Sequence, residues 1–515
     1  MRSAPRTPIL LTWLFVPLFL LTAAANRAAD SRPHVLFITM DDMSCDSVGV
    51  YGCKLAGTTP NMDRLAQQSL RFNHAYSQVG NCMPTRNVIA SGRYPHNNRV
   101  EGFYEVKNPG YPTFSDLMQA GGYFTGIRGK VAHSTPYSPY PGWNIVLDTL
   151  PDGTTADTKN VASYYASTQQ GIALAKKAGR PFCLNINISD PHKPFWNEDH
   201  RPELNRPSRV FTADEVVVPG FLPDDRAVRE ELALYYSSVR RGDDCLGEVL
   251  RALHESGEEA RTVIIFLSDH GMPLPFAKTQ LYFHSTRTPW MFRWPGVTRP
   301  GTVDDQHLVS FVDLLPTVLE MVGLPAPSGL DGRSFAPLLR GERQNNREFV
   351  VTEYNENSGG NRHPMRSIIT KDFAYIFNPW SNGERVMATA TKGTVTYRRM
   401  QALAKTDSKV AARLLFFDRR VTEEMYNYAA DADALENLIG QPAYSAERDR
   451  LTRQLEGWMV KTGDPMLAVF QARRDPRALA LYMDKVEREA AERKGQKSPK
   501  AKSGPKRRAN VPDLE

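Results

Sequence analysis

Residues 80–93 read Gly-Asn-Cys-Met-Pro-Thr-Arg-Asn-Val-Ile-Ala-Ser-Gly-Arg, with a cysteine two residues before a proline and four before an arginine. Proline is tolerated in a first helical turn, where its missing N–H would be unpaired anyway. The apolar run Val88-Ile89-Ala90 carries the helix on. Cys82 is therefore expected in a loop at a helix N-terminus, where backbone N–H groups and the helix dipole favour an anion. Arg86, one turn inside, can reach back towards it. A buried free cysteine before an ordinary helix fits the same residues, so the remaining chemistry has to decide.

Asp41-Asp42 follows an apolar run directly, and Asp269-His270 follows another after the single residue Ser268. Three carboxylates supply hard oxygen ligands, which suit Ca²⁺, with Mg²⁺ as second choice, better than zinc. His270 would be an unusual partner for calcium. An isolated acidic pair could equally cap a helix or sit in water. A metal together with Arg86, Lys130, Lys278, His133 and His192 would make a pocket dominated by positive charge. Such a pocket suits a tetrahedral anion, sulfate or phosphate, and stabilises charge developing on its oxygens. His133 and His192 are candidate general acid and base; each alone could be a structural hydrogen-bonding residue.

The elements that must place these groups alternate in type. His34–Met40, Tyr123–Arg128, Phe182–Ser189 and Thr262–Leu267 read as buried strands. Helices are expected over Pro60–Leu70, Thr113–Ala120, Asn160–Lys177 and Asp225–Ser256, the last with Leu232, Tyr235, Tyr236, Val239, Leu246, Val249, Leu250 and Leu253 at helical spacing. This alternation predicts an α/β fold with a mainly parallel sheet flanked by helices. The polar residues cluster past the carboxyl ends of the strands, the edge where open α/β sheets bind ligands. After residue 345, Phe349–Tyr354, Arg366–Thr370, Phe373–Phe377 and Glu424–Tyr428 read as short strands, followed by a helix over Ala446–Lys461. They predict a smaller C-terminal α+β domain. The expected layout is a signal peptide over 1–29, a catalytic domain over 30–345, the α+β domain over 346–485 and a basic disordered tail over 486–515.

The net charge of +7 on 515 residues sits at the ends. Residues 1–29 hold three arginines and no acid, residues 492–515 eight Lys or Arg against three carboxylates, so the body between is close to neutral. No basic face is implied, and nucleic acid is not expected as a partner. Basic residues, then an apolar run from Ile9 to Leu21, then Thr-Ala-Ala-Ala predict a cleaved secretory signal, an uncleaved anchor being the alternative. The mature protein is expected to be periplasmic or secreted, without an integral membrane segment. The tail has the composition of a solvated, disordered segment, contact with a polyanion being the alternative reading. Five cysteines leave at least one outside disulfide pairing within the chain. Cys45 and Cys53 are close enough to pair; the pairing of these two, Cys183 and Cys245 is open, as is the oligomeric state.

Cys82-Met-Pro-Thr-Arg86 resembles the modification signature of type I sulfatases, whose cysteine is oxidised to formylglycine (3-oxoalanine). Asp41-Asp42, Gly129-Lys130 with His133, His192 within Asp-Pro-His-Lys-Pro, and Ser268-Asp-His-Gly271 resemble that family's further blocks in the same order, and Glu424-Met-Tyr with Glu436-Asn-Leu438 its C-terminal signature. The resemblance runs from about residue 32 to 465 and implies an alkaline-phosphatase-like fold. It implies that Cys82, as formylglycine hydrate, supplies the oxygen that attacks sulfur. Arg86 and Lys130 would hold the hydrate, and His133 would deprotonate it for sulfate release. His192 and Lys278 would contact sulfate and aid the leaving group. Asp41, Asp42, Asp269, His270 and modified Cys82 would hold one metal ion, calcium. A formylglycine-generating enzyme is implied as maturation partner and a sulfated saccharide as substrate.

Lys130 and His133 are separated by two residues where the common block has one, a spacing that resembles iduronate-sulfatase-like members, and His270 stands where many members carry Asn. Asp190–Phe195, Val218–Pro223, Gly271–Phe276 with Thr279–Tyr282, and His363–Ser367 resemble sulfamidases, the N-sulfoglucosamine sulfohydrolases, although those tend to carry Arg near Lys278. A heparan-type N-sulfatase is thus expected. An O-sulfatase on another sulfated polysaccharide, a phosphodiesterase or phosphonate hydrolase on the same fold, and a glycan-binding protein with a defunct site are the rival readings. His363 and Arg366 are placed either at the pocket rim or on the surface of a hairpin.

Overall fold

The computed structural model describes residues 32–198 and 205–495. The expected signal peptide and residues 496–515 of the expected tail lie outside the described residues. Eight strands form the central sheet in the order β5-β4-β6-β1-β7-β8-β2-β9. They are β1 (His34–Asp41), β2 (Leu70–Phe72), β4 (Phe124–Arg128), β5 (Ile145–Val146), β6 (Phe182–Pro191), β7 (Thr262–Ser268), β8 (Trp290–Arg293) and β9 (Thr302–Asp304), with β3 (Ala75–Tyr76) and β10 (Val309–Ser310) paired apart. From β5 to β7 all pairings are parallel; β8 alone runs against its neighbours.

Successive strand side chains point to opposite faces, and both faces of the central strands are buried. Leu36, Ile38, Ile186, Ile188, Ile264 and Phe266 pack into one core with Ile172, Leu232, Val239 and Leu246 of the helices Val161–Lys177 and Arg226–Glu255. Val35, Phe37, Val263, Ile265 and Leu267 pack into another with Val88 and Ile89 of the helix Cys82–Ser91, and with the helices Phe114–Ala120 and Leu314–Met321. The result is a three-layer sandwich, which explains why the strands read as continuous apolar runs. Asp41 follows the parity of Val35 and Phe37. It therefore emerges on the face that carries the Cys82 helix.

Strands β11 (Phe349–Glu356), β12 (Arg362–Thr370), β13 (Phe373–Phe377) and β14 (Glu423–Asn427) form a separate antiparallel sheet in that order. The helix Ser445–Thr462 packs on β12 and β13. Two helices the sequence reading did not anticipate, Val395–Leu403 and Ser408–Arg419, start on Thr394 and Asp407 as N-caps. The disordered tail expected from residue 486 is corrected over its first ten residues: the helix Pro476–Gly495 runs through them and buries Val486 and Ala490. All five cysteines are free, Cys45 and Cys53 included. No described helix is long and apolar enough to cross a membrane.

Candidate active site

Cys82 is the first residue of its helix rather than part of the preceding loop. Asn81 is the N-cap, its side-chain oxygen accepting from the Cys82 N–H. Cys82 is 2% exposed, and its Sγ lies 3.6 Å from Asp41 Oδ1, 3.7 Å from Asp42 Oδ1 and 3.2 Å from His270 Nε2. Consecutive strand residues would point apart, yet both carboxylates reach the sulfur. Asp42 has a φ of 66°, and this left-handed turn ends the strand alternation.

The other acids and bases interlock around them. Arg86 donates from Nε (3.1 Å) and Nη2 (2.9 Å) to Asp269 Oδ2, while the Asp42 N–H donates to Asp269 Oδ1 (3.0 Å). Lys130 Nζ is 2.5 Å from Asp41 Oδ2, and Lys278 Nζ is 2.7 Å from both oxygens of Asp42. His192 Nε2 is 3.9 Å from Asp42 Oδ2, and its Nδ1 faces the Lys193 carbonyl at 2.6 Å. The loop bearing His192 is fixed by Asp190, whose carboxylate takes a two-nitrogen fork from Arg241 and a bond from Lys159 Nζ. His133 lies against the Cys82 helix through its carbonyl, which accepts from Asn87 Nδ2 (2.9 Å), and its ring stands edge-on to Phe103.

The field of this cluster sets its protonation. Burial would raise the Asp41 carboxyl, but Lys130, His192, Arg86 and Lys278 hold it well below the usual range. Asp42 is brought to about 2 against the same burial, chiefly by Lys278 and then His192 and His270. Burial pushes the Cys82 thiol well up, and Asp41, Asp269 and Asp42 add to this against Lys278. Unmodified Cys82 is thus a protonated thiol at neutral pH, and a thiol is a poor nucleophile. Burial, then Lys130 and Arg86, lowers His133 to about 3, so it is a neutral imidazole.

His270 is fully buried, and its Nδ1 faces the Gly271 carbonyl at 3.0 Å. A carbonyl accepts only, so Nδ1 carries a proton and donates to it, which leaves Nε2 as the ring atom turned towards Asp42 Oδ1 (3.2 Å) and Cys82 Sγ (3.2 Å). Two overlapping triads, Asp42–Cys82–His270 and Asp41–Cys82–Asp269, bring their ligand atoms within 4.8 Å of one another. This oxygen-rich donor set fits a hard divalent cation. The charges agree: Asp41, Asp42 and Asp269 balance Arg86, Lys130 and Lys278, so a bound divalent ion would leave the pocket positive and suited to a sulfate group.

The residues expected at four strand ends and one helix start are therefore gathered at one edge of the sheet. His363 and Arg366 are not among them, nor are they on a surface. Arg366 is fully buried between Asp464 and Glu353, and His363 is buried beside Trp380. A participant the sequence reading missed is Asn187 on β6, 2% exposed, whose Oδ1 accepts from Arg86 Nη1 at 2.5 Å. A polar residue inside the apolar run of a buried strand was the available signal.

The family model Sulfatase matches residues 33–324, more than half of the chain. The chain belongs to the sulfatase family. As a sulfatase it is a sulfuric ester hydrolase, and a second model, the C-terminal region of N-sulphoglucosamine sulphohydrolase, matches residues 269–382. This sulfatase is 27% identical to human N-sulphoglucosamine sulphohydrolase, over 84% of this chain and 91% of that protein. It is 26% identical to an ulvan-active sulfatase of Formosa agariphila, over 85% of this chain and 82% of the relative. Among solved structures, a protein in complex with its substrate D-glucosamine-2-N,6-O-disulfate superposes with a TM-score of 0.62 at 19% identity, covering 84% of this chain and 99% of that one. A phosphonate monoester hydrolase of Agrobacterium radiobacter gives 0.62 at 17% identity, over 84% and 96%. These structural likenesses establish the shared fold.

Proposed function

We propose that this sulfatase removes sulfate from a sulfated glycan, with N-sulfoglucosamine of a heparan-type chain as its preferred substrate. The match of residues 269–382 to the C-terminal region of the N-sulphoglucosamine sulphohydrolases carries the choice of sugar. The ulvan-active relative, at nearly the same identity, supports an O-sulfatase on another sulfated polysaccharide as the second reading.

In the proposed reaction Cys82 acts as formylglycine, installed by a formylglycine-generating enzyme. Its hydrate carries two hydroxyls on one carbon. The oxygen of one hydroxyl bonds to sulfur as its proton is released to water, and the bond from sulfur to the sugar nitrogen or oxygen breaks. His192 and Lys278 supply the proton and positive charge that the leaving group needs. His133, kept neutral by burial and then by Lys130 and Arg86, takes the proton of the second hydroxyl; the C–O bond to sulfate then breaks, sulfate leaves, the aldehyde re-forms, and a water adds to it to restore the hydrate. A carbonyl hydrate provides this exit, which a simple alcohol or thiol lacks. Arg86 and Lys130 hold the nucleophile in place. A divalent cation, calcium in this reading, would be held by Asp41, Asp42, Asp269, His270 and modified Cys82, and would supply positive charge for the nucleophile and the sulfate oxygens. The protein is proposed to work outside the cytoplasm.

Incubating modified enzyme with N-sulfoglucosamine, O-sulfated hexosamines, ulvan oligosaccharides and an aryl phosphonate tests the assignment. Sulfate release fastest from the N-sulfated sugar is expected. Faster release from an O-sulfated glycan would replace the substrate assignment, and faster turnover of the phosphonate would replace the reaction class.

A further inference from the structure

We infer that Asn187 is the positioning residue that ties Arg86 and Lys130 into one unit, so that the two cations presented to the nucleophile depend on a single amide. The inference rests on the proposed sulfatase chemistry for its activity readout and on geometry for its origin. Strand β6 lies between β1, which ends in Asp41, and β4, which ends ahead of Lys130. Asn187 sits opposite Thr39 of β1, and the preceding residue, Ile186, sits opposite Arg128 of β4. Its parity puts it on the face of the Cys82 helix.

Every polar atom of this amide is used. Oδ1 accepts from Arg86 Nη1 at 2.5 Å, and Nδ2 donates to the carbonyls of Arg128 (3.0 Å) and Gly129 (2.9 Å). The bonds in both directions fix which end is oxygen, because carbonyls can only accept and a guanidinium can only donate. The two carbonyls belong to the turn that delivers Lys130. Gly129 and Lys130 both have left-handed backbones, φ 65° and 53°. For lysine this conformation is unfavourable and persists only where its surroundings impose it. The surroundings are visible: Asp148 Oδ1 accepts the Gly129 N–H at 2.7 Å on one side, and Asn187 holds the carbonyls on the other. A Cβ on Gly129 would meet the Asn187 carbonyl oxygen at 3.2 Å, so turn and strand are in close contact. The outcome is the 2.5 Å approach of Lys130 Nζ to Asp41 Oδ2. Asn187 touches no reacting atom itself.

The test uses full-length, formylglycine-containing enzyme with Asn187→Ala and Asn187→Asp. Aspartate keeps an oxygen for Arg86 but cannot donate to the turn carbonyls, and serves if alanine does not fold. Kinetics on N-sulfoglucosamine, with an aryl sulfate as second probe, are expected to show kcat lower by about 10–100-fold, the usual cost of losing a supporting partner, with KM little changed. In a Lys130→Ala background the Asn187→Ala change is expected to cost clearly less than in the wild-type background, because one of its two targets is gone and only Arg86 is left to lose support. A crystal structure of Asn187→Ala is expected to show Lys130 Nζ displaced out of hydrogen-bonding reach of Asp41. Wild-type kcat in both variants, a full multiplicative loss in the Lys130→Ala background, or an unmoved Lys130 would each overturn the inference. If the parent enzyme turns over neither sulfate, the functional reading fails while the crystal structure still decides the role of Asn187.

Discussion

Arg86 grips one oxygen of Asp269 with two nitrogens, Nε at 3.1 Å and Nη2 at 2.9 Å, while the other oxygen takes the Asp42 N–H. The guanidinium one turn inside the Cys82 helix thus fixes a metal-ligand candidate that arrives from β7. Lysine at this position would keep the charge but lose the planar fork. Arg86→Lys is expected to lower kcat/KM by about 10²-fold or more, the scale of losing a preorganised donor, and to lower the melting temperature. Near-normal activity would show that the fork is not needed.

Metal removal has a thermal as well as a kinetic readout. A cation that binds only the folded protein raises the melting temperature with its concentration. Ca²⁺ added to chelator-treated protein is expected to raise the melting temperature and restore activity, and Asp42→Asn to abolish the shift. A shift that persists in Asp42→Asn would place the ion elsewhere.

His133 has its pKa lowered to about 3, so it stays neutral throughout the range where the enzyme can be assayed. Its loss should therefore act alike at every pH. His133→Ala is expected to reduce kcat by about 10²–10⁴-fold, the range for a general base, equally at pH 5 and pH 8. A loss that grows on passing from pH 5 to pH 8 would mean that His133 titrates near its ordinary value.

Away from the site, His284 lies between two carboxylates, Nδ1 at 3.3 Å from Asp46 and Nε2 at 3.1 Å from Asp433. Burial opposes the charged ring, but Asp46 and Asp433 raise it from 6.5 to about 9. A group raised on folding stabilises fully below its unfolded pKa, and that stability is lost as pH rises through the folded value. Unfolding free energy is expected to fall by up to about 3 kcal/mol between pH 6.5 and 9. Denaturant titrations across this window should show the slope, and His284→Gln should flatten it. An unchanged slope in that variant would assign the pH dependence to other groups.

Much of the site was legible because its residues follow long apolar strands. The runs ending at Asp41, at Gly129-Lys130 and at Asp269 announce both a buried strand and an interruption, and the sheet brings such ends together. Lys278 was legible by type but not by partner, since the turns at Phe276 and Thr279, both with positive φ, bring it onto Asp42 without any periodic signal. Asn187 was missed because a polar residue within β6 reads as an exception to the strand rather than as a bridge across it. Arg366 was misplaced for the opposite reason. A charged residue in a hairpin suggests a surface, and only the fold reveals that Glu353 and Asp464 bury it. The helix Ser408–Arg419 escaped notice because it fully buries only Phe417, so its apolar stripe is faint.

Mass spectrometry of the peptide spanning Cys82, from active protein made in its native host or alongside a formylglycine-generating enzyme, tests the central claim most directly. The account predicts the mass of formylglycine at position 82 and turnover that rises with the modified fraction. Unmodified cysteine in fully active protein would contradict it.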